Sequence, residues 1–424
     1  MLDLRYVRGH ADAVRAALER KGEPGSLDAL DRVLAIDLKR RQLLSQVEVL
    51  RAERNRVSAA IPRGGETQEA LLAVARDLAM SLKGLDADLV RWEVELREAI
   101  LELPNIPDTD VPDGAGDTDN VEVRRHGDLP GFKFTPQPHW DLGVKLGVLD
   151  FGRASKVAGP RFTVFRGAGA RLIRALVAFM VDLHVDRHGC TEVLPPFVVN
   201  TASMLGTGNL PKFGADAFRL DGVDLWLIPT AEVPVTNLYR DEVLSADSLP
   251  LRHVSHTPCW RSEAGAAGRD TRGLIRQHQF DKVELVYFTY PEDSDRALQE
   301  IVKNAEATLQ VLELPHRTVA VCSGDLGFSA ARKYDVEVWM PSYGRYVEIS
   351  SCSNFRDFQA RRANIRFRPG PQQPLGYVHT LNGSALAVGR TLAALLENGQ
   401  QSDGSVRFPP KLVPYLGFDS LTPE

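Results

Sequence analysis

Residues 258–288 read PCWRSEAGAAGRDTRGLIRQHQFDKVELVYF, and this stretch decides the fold class. Two strand-like runs flank a loop rich in glycine, alanine and charge, the pattern of a long β-hairpin. Side chains alternate along a strand, so Arg261 and Glu263 share one face. On the return strand Arg276, His278, Phe280, Lys282 and Glu284 share a face. A strand face of charged groups with one aromatic is a poor core face. It suits a charged, partly aromatic ligand, or else a solvated sheet laced with cross-strand ion pairs. In the first reading arginine offers a planar donor fork for phosphate and Phe280 stacks on a flat base. Glu263 and Glu284 accept from amine or hydroxyl donors, or balance the arginines.

Working outward, TEVLPPFVV (191–199), DLWLIPT (224–230), YDVEVWM (334–340) and RYVEISSCSN (345–354) also read as strands. Helical periodicity covers 170–187 and 293–314. Several strands are consecutive, without regular strand–helix alternation, which predicts an α+β domain on an antiparallel sheet flanked by helices. No Gly-x-Gly-x-x-Gly follows a strand and no Gly-x-x-x-x-Gly-Lys-Ser/Thr is present, so neither a Rossmann nor a P-loop site is supported. Three further stretches carry candidate chemistry. Thr230-Ala231-Glu232 ends an apolar run, as a turn, a helix cap or a site. Glu348-Ile349-Ser350-Ser351-Cys352-Ser353-Asn354 is a polar patch following a strand, a plain strand edge or a divalent-metal site through Glu348. Leu381–Arg390 reads as the opening of a helix that runs to about Glu397, with Asn382 or Ser384 as its cap. Arg390 would lie about two turns into it, where a lone charge needs a partner.

The N-terminal quarter has a different period. Val33, Ile36, Arg40, Leu43, Val47, Leu50, Arg54, Val57 and Ile61 form a heptad seam, and Leu71 to Leu103 form a second. Pro62-Arg63-Gly64-Gly65 separates them, so two helices fold back antiparallel as an arm about 50 Å long. Residues 28–63 hold eight basic and five acidic side chains, whereas Glu93, Glu95, Glu98 and Glu102 crowd the end of the return helix. The two faces pair with each other, or the first binds phosphate; both can hold. Pro104-Asn105-Ile106-Pro107 ends the hairpin, placing a boundary between domains 1–105 and 106–424. The segment 108–120 reads as a linker or surface loop.

At 424 residues the chain accommodates two or three domains. A formal charge of -5 excludes a histone-like basic protein or an acidic tail. No apolar run approaches the roughly 20 residues of a membrane span, and the charged N-terminus is not a signal peptide. Cys190, Cys259, Cys322 and Cys352 are scattered, away from zinc spacing, which predicts a reduced cytoplasmic setting and no zinc.

Taken together these segments resemble a known family. Arg261-Ser262-Glu263 with its loop, Arg276 and Phe280 resembles motif 2 of class II aminoacyl-tRNA synthetases. Ser384 to Arg390 resembles motif 3, and Arg171 to Pro196 resembles motif 1, the dimer element. TAE, RSEAG, DTRGLIRQHQFDKVE, EISSCSNFRDFQARR and HTLNGS closely resemble seryl-tRNA synthetases of the bacterial type, and the hairpin resembles their tRNA-binding arm.

The resemblance implies a homodimeric serine–tRNA ligase taking ATP, L-serine and Mg²⁺. It would act on tRNA(Ser), and on tRNA(Sec), without DNA or membrane partners. ATP would meet Arg261, Ser262, Glu263, Arg276, Gln277, Phe280, Glu348, Ile349, Ser350, Ser351 and Arg390. Of these, Arg261, Glu348 and Arg390 would be catalytic, and Glu348 and Ser351 would bind the metal. Serine would meet Thr230, Ala231, Glu232, Arg261, Glu284 and Ser384. Arg40, Arg41, Arg51, Arg54 and Arg56 would face tRNA phosphates. The arm tip, SAAIPRGGETQEAL, carries one basic residue, whereas family tips are often lysine-rich. Trp260 stands where Phe is common, and Ala385 where Gly is common. A specialised copy, or a catalytically dead tRNA-binding relative, are the alternatives.

Overall fold

The computed structural model describes residues 1–63, 65–264 and 272–423, without the Glu66 side chain. The chain forms two compact units, Met1–Pro104 and Asn105–Glu424. Asn105 falls in the second unit, where its amide donates to the carbonyls of Ser329 and Phe355, both at 2.9 Å.

The first unit holds α1 (Leu4–Gly9), α2 (Ala11–Lys21) and two long helices, α3 (Ser26–Ala60) and α4 (Gln68–Leu101). The heptad positions form the seam: Val33, Ile36, Val47, Val57, Leu82 and Leu96 are buried, and Arg40 and Arg54 are partly covered within it. A helix break at Ile61–Arg63 follows from Pro62, whose ring blocks continuation. Ion pairs cross the hairpin from Arg32 to Glu102 (3.2 Å), Arg40 to Glu93 (3.1 Å) and Arg51 to Asp86 (2.8 Å). Arg41 pairs with Asp37 and Arg56 with Glu53 inside α3, while Arg54 donates to Asn55. The mutually paired faces are therefore realised, and two of the arginines that pair them, Arg40 and Arg51, are among those the resemblance assigns to tRNA.

In the second unit eight strands form one sheet: β1 (Val121–His126), β2 (Thr191–Glu192), β3 (Leu251–Trp260), β4 (Gln279–Thr289), β5 (His316–Ala320), β6 (Arg332–Met340), β7 (Arg345–Asn354) and β8 (His379–Ala387). Their order is β1-β5-β6-β7-β8-β4-β3-β2, antiparallel except for the β2–β3 edge. Helices α6 (Ala168–His188), α8 (Ser294–Val311) and α9 (Val388–Gly399) share one core with the sheet, with Val283, Leu285 and Tyr287 of β4 pointing into it. A short helix, α5 (His139–Lys145), precedes α6 in the chain. Past the cleft, Val286 and Phe288 of β4 enter a smaller core with Val235 of α7 (Glu232–Asn237). Alternation on β4 thus leaves Phe280, Lys282 and Glu284 for a third environment.

Several expected elements differ. TEVLPPFVV yields only Thr191–Glu192 and Val198–Val199, because Pro195 and Pro196 have no N–H for a ladder. DLWLIPT shortens to Trp226–Leu227, paired with Val198–Val199 in a separate ribbon. The stretch Leu381–Ala387 is strand, not helix: β8 is held on both edges by β7 and β4. Neither Asn382 nor Ser384 caps α9, which begins at Val388, and Arg390 is its third residue. RYVEISSCSN forms one strand over its expected length, β7, so the EISSCSN patch lies within it. The segment 108–120 is a surface strap tied to this unit, with Val111 buried against Val321 and Leu326.

Gly383, at the middle of β8, has no room for a side chain. A Cβ there would sit 2.2 Å from Ile301 Cγ2 and 2.9 Å from Cys352 Sγ. Replacing Gly383 by alanine is expected to cost about 2 kcal/mol by overpacking, seen as a lower urea midpoint. An unchanged midpoint would mean that α8 shifts freely off the sheet.

Candidate active site

The open face of β4, β6, β7 and β8 floors a cleft of about 400 Å³, joined by residues that follow β3. Thr230, Glu232, Arg261, Glu263, Arg276, Gln277, Phe280, Glu284, Glu348, Ile349, Ser351, Ser384 and Arg390 all line it. A second chamber of about 520 Å³ adjoins it and shares Glu232, Arg261, Glu263 and Arg276.

The β3–β4 hairpin stops its regular ladder at Trp260 and Gln279. Arg261 and His278 still exchange a backbone hydrogen bond, Arg261 N–H to His278 O at 2.9 Å. Beyond it alternation fails: Glu263 adopts a left-handed φ of 52°, and Arg276 and Gln277 both reach the cleft. His278, expected on the ligand face, instead bonds the Arg261 carbonyl at 3.0 Å. The hairpin loop 265–271 lies outside the described residues.

Two β-bulges set the floor. Ile349 has no partner in the β6–β7 register, where Val336 faces Ser350 and Glu337 faces Glu348. That extra residue puts Glu348 and Ser351 on the same face, although residues three apart in a regular strand face opposite ways. Ala385 does the same between Ser384 and Ala387 on β8.

Three expected site residues do not reach the cleft. The Ser262 hydroxyl donates to the Ala215 carbonyl at 2.7 Å. Ala231 is fully buried behind Glu232. Ser350 points through the sheet, its hydroxyl donating to the Ser384 carbonyl at 2.5 Å, and so ties β7 to β8 at the bulge. Ser262 and Ser350 each sit beside a residue that does line the cleft, and neighbours on extended chain face apart; Ala231 instead has helical backbone at the start of α7, which turns it inward.

Charges alternate across the cleft. Lys282 Nζ lies 2.6 Å from Glu284 and donates to Thr230 Oγ1 at 2.9 Å, and Ser384 Oγ donates to Glu284 at 3.2 Å. Glu232 accepts from Asn382 at 2.7 Å and from Gln359. Burial, then the nearby Glu284 carboxylate, pushes the Glu232 pKa up to about 7. On the other wall Arg276 pairs with Glu263 at 2.7 Å. The Arg261 guanidinium lies 5.3 Å from the Phe280 ring centre, its Nε donating to the Pro229 carbonyl at 3.3 Å. Arg390 donates to the carbonyls of Ile275 (3.0 Å) and Glu348 (2.6 Å). Depth in the cleft works against the Glu348 charge, but Arg390, Lys333, Arg261 and Arg276 hold its pKa below the ordinary value.

Lys333, Asp335, Asn382 and Gln359 were not among the expected site residues. The first two are legible only through register, since β6 sets Lys333 against Ser353 and Asp335 against Ser351. Burial pushes Asp335 up to about 7, and its Oδ1 has no hydrogen-bond partner among the described residues. Among the described residues no group of three His, Cys, Asp or Glu side chains could hold a metal. The Glu348 carboxylate and Ser351 hydroxyl, beside the unsatisfied Asp335 oxygen, suit a hard cation that takes its other ligands from phosphate and water. The four cysteines are buried and free.

Residues 1–107 match the seryl-tRNA synthetase N-terminal domain, and residues 218–399 match the tRNA synthetase class II core domain (G, H, P, S and T). A serine–tRNA ligase of Desulforudis audaxviator is 57% identical over 420 residues, covering 98% of both chains. One from Clostridium tetani is 54% identical, covering 98% of this chain and 99% of its own. The crystal structure of seryl-tRNA synthetase from Pyrococcus horikoshii complexed with ATP superposes with a TM-score of 0.96 at 37% identity, covering 100% of both chains.

Proposed function

This chain belongs to the seryl-tRNA synthetase family and is an ATP-dependent serine–tRNA ligase, and we propose how its residues divide the work. The observation that carries the assignment is one cleft with an arginine wall on one side and the Glu232, Lys282, Glu284 and Ser384 cluster on the other.

Serine binds with its ammonium toward Glu232 and Thr230 and its hydroxyl toward Glu284 and Ser384. The adenosine of ATP lies against Phe280, with the 274–277 backbone along the base edge, Glu263 near the adenine amino group and Arg390 over the base. Arg261 holds the α-phosphate, while Arg276 and Arg390 hold the outer phosphates. Glu348 and Ser351 would hold Mg²⁺, which when bound neutralises phosphate charge. The serine carboxylate attacks the α-phosphorus in line and pyrophosphate leaves. This step needs alignment and charge neutralisation, not a protein nucleophile. The 3'-terminal hydroxyl of tRNA then attacks the seryl carbonyl and AMP leaves.

Residues 1–105 act as the arm for tRNA(Ser) and tRNA(Sec), and 106–424 as the catalytic domain. The chain pairs as a homodimer through α6 and the segment after it, where Leu194 is 75% exposed. The setting is cytoplasmic; among the described residues no helix is long and apolar enough to cross a membrane. The presence of Arg261, Glu348 and Arg390 in one cleft argues against a dead relative.

Amino-acid-dependent ATP–pyrophosphate exchange tests the pocket. Serine supports exchange, and alanine is expected to fall short by roughly 10⁴-fold, because losing the hydroxyl leaves buried polar groups unpaired. Threonine fails against the wall beside Ser384. Comparable exchange with alanine would remove the hydroxyl pocket from this cleft. The serine KM is expected to rise as pH falls through about 7, because Glu232 becomes neutral there and loses the ammonium. The stability sign is opposite. The folded chain holds a proton that the unfolded chain releases between the ordinary carboxylate value of 4.5 and about 7. Glu232 therefore lowers stability as pH rises through that window. A serine KM flat from pH 6 to 8 would take Glu232 out of the ammonium site.

A further inference from the structure

His139 lies outside the cleft, is fully buried, and contacts neither wall of the serine pocket. Its Nε2 accepts the Leu274 N–H at 3.0 Å. A ring nitrogen that accepts a backbone N–H carries a lone pair, so the ring proton is on Nδ1. Nδ1 faces Glu397 Oε1 at 2.8 Å, and the same oxygen accepts the His139 backbone N–H at 3.0 Å. The other Glu397 oxygen accepts the Ser342 N–H at 2.9 Å. Glu397, also fully buried, thus meets three N–H donors and orients the imidazole toward the loop. Gln400 clamps the neighbouring backbone at Gln137, at 2.8 Å and 3.2 Å.

Leu274 and Ile275 are adjacent residues of the cleft wall. α9 holds both: Arg390 near its start donates to the Ile275 carbonyl at 3.0 Å, and Glu397 near its end holds the Leu274 N–H through His139. The two grips are two helical turns apart, so they fix orientation as well as position. Gly273 completes the fit. It has φ of 77°, and a Cβ there would stand 2.1 Å from His139 Nε2.

We infer that His139, held by Glu397, is a positioning residue for ATP: it fixes the return limb of the hairpin loop so that the 274–277 wall and Arg390 meet the nucleotide. The inference rests on the reading of that wall as the adenosine side of the cleft.

The two ring nitrogens can be tested separately. Asparagine keeps a donor near the Nδ1 position and loses the Leu274 acceptor. Glutamine puts an oxygen near the Nε2 position and loses the donor to Glu397. In ATP–pyrophosphate exchange, His139→Asn is expected to raise the ATP KM and lower kcat, together about ten- to a hundredfold. Its serine KM stays within about twofold, because serine contacts come from other elements. His139→Gln is expected to restore most of the activity. Gly273→Ala, which breaks the same bond from the loop side, should reproduce the ATP-selective loss.

A positioning role is overturned if Asn and Gln variants lose activity equally and in step with melting temperature, or if ATP and serine KM move together. It is also overturned if His139→Asn is folded and fully active. Phe280→Ala runs alongside. An unchanged ATP KM in that variant would instead sink the reading of the wall, whatever His139 does.

Discussion

Replacing Arg261 with alanine is expected to lower kcat for serine-dependent ATP–pyrophosphate exchange by about 10³-fold. The reaction adds negative charge at one phosphorus, and catalysis comes from donors already aimed there. Arg261 is the cleft arginine placed between the two halves of the site. It lies over Phe280 and is anchored on the carbonyl of Pro229, just before Thr230. It also lines both the main cleft and the adjoining chamber. Its loss removes a charged two-pronged donor, worth about 3–4 kcal/mol at a reacting phosphate. Arg261→Lys restores the charge without the fork, and about a tenfold recovery is expected. Circular dichroism and melting temperature should stay near wild type, since the guanidinium is half-buried and, among the described residues, makes one hydrogen bond to the protein. A folded alanine variant with exchange within a few-fold of wild type would mean that Arg261 does not hold the reacting phosphate.

The second large effect concerns the arm. Arg40 and Glu93 face each other at 3.1 Å, so a short Gly-Ser turn can replace residues 41–92 without straining α3 or α4. The shortened protein loses Arg41, Arg51, Arg54 and Arg56 together with most of the seam. Aminoacylation of tRNA(Ser) is expected to fall by on the order of 10³ in kcat/KM, the scale of losing several phosphate contacts. Serine-dependent exchange should stay within about twofold, because the residues lining the cleft belong to Asn105–Glu424. The full-length protein should lose tRNA activity steeply with added salt, and the shortened one should not. Unchanged charging by the shortened protein would remove the arm from tRNA recognition. The ion pairs sharpen the expectation. Arg40 and Arg51 already face carboxylates across the hairpin, so phosphate must compete for them. Arg56, 78% exposed and paired within its own helix to Glu53, is the more available of the set.

Periodicity and chemistry along the chain made the larger features legible. The heptads from Val33 to Ile61 and from Leu71 to Leu103 specify a two-helix seam, because apolar side chains at that spacing can be buried only against a second helix. The alternation in QFDKVELVYF specifies a strand with Val283, Leu285 and Tyr287 inward and Lys282 and Glu284 outward. The motif segments around Arg261, Glu348 and Arg390 mark residues that the fold brings into one cleft. The stretch Leu381–Ala387 misled because small apolar residues fit either period; pairing with β7 and β4 made it strand.

What the linear chain determined is which residues carry charge, which faces are apolar, and which family's segments recur in order. Only the tertiary structure decided which way individual side chains point. The bulge at Ile349 brings Glu348 and Ser351 to one face, and the bulge at Ala385 does so for Ser384 and Ala387. A bulge belongs to the register between two strands rather than to either strand alone. The same holds for Asp335 against Ser351, and for His139, which is 135 residues from the Leu274 amide it holds. Such contacts are chosen by packing between distant segments, where a buried polar group must find a partner and the fold decides which is within reach.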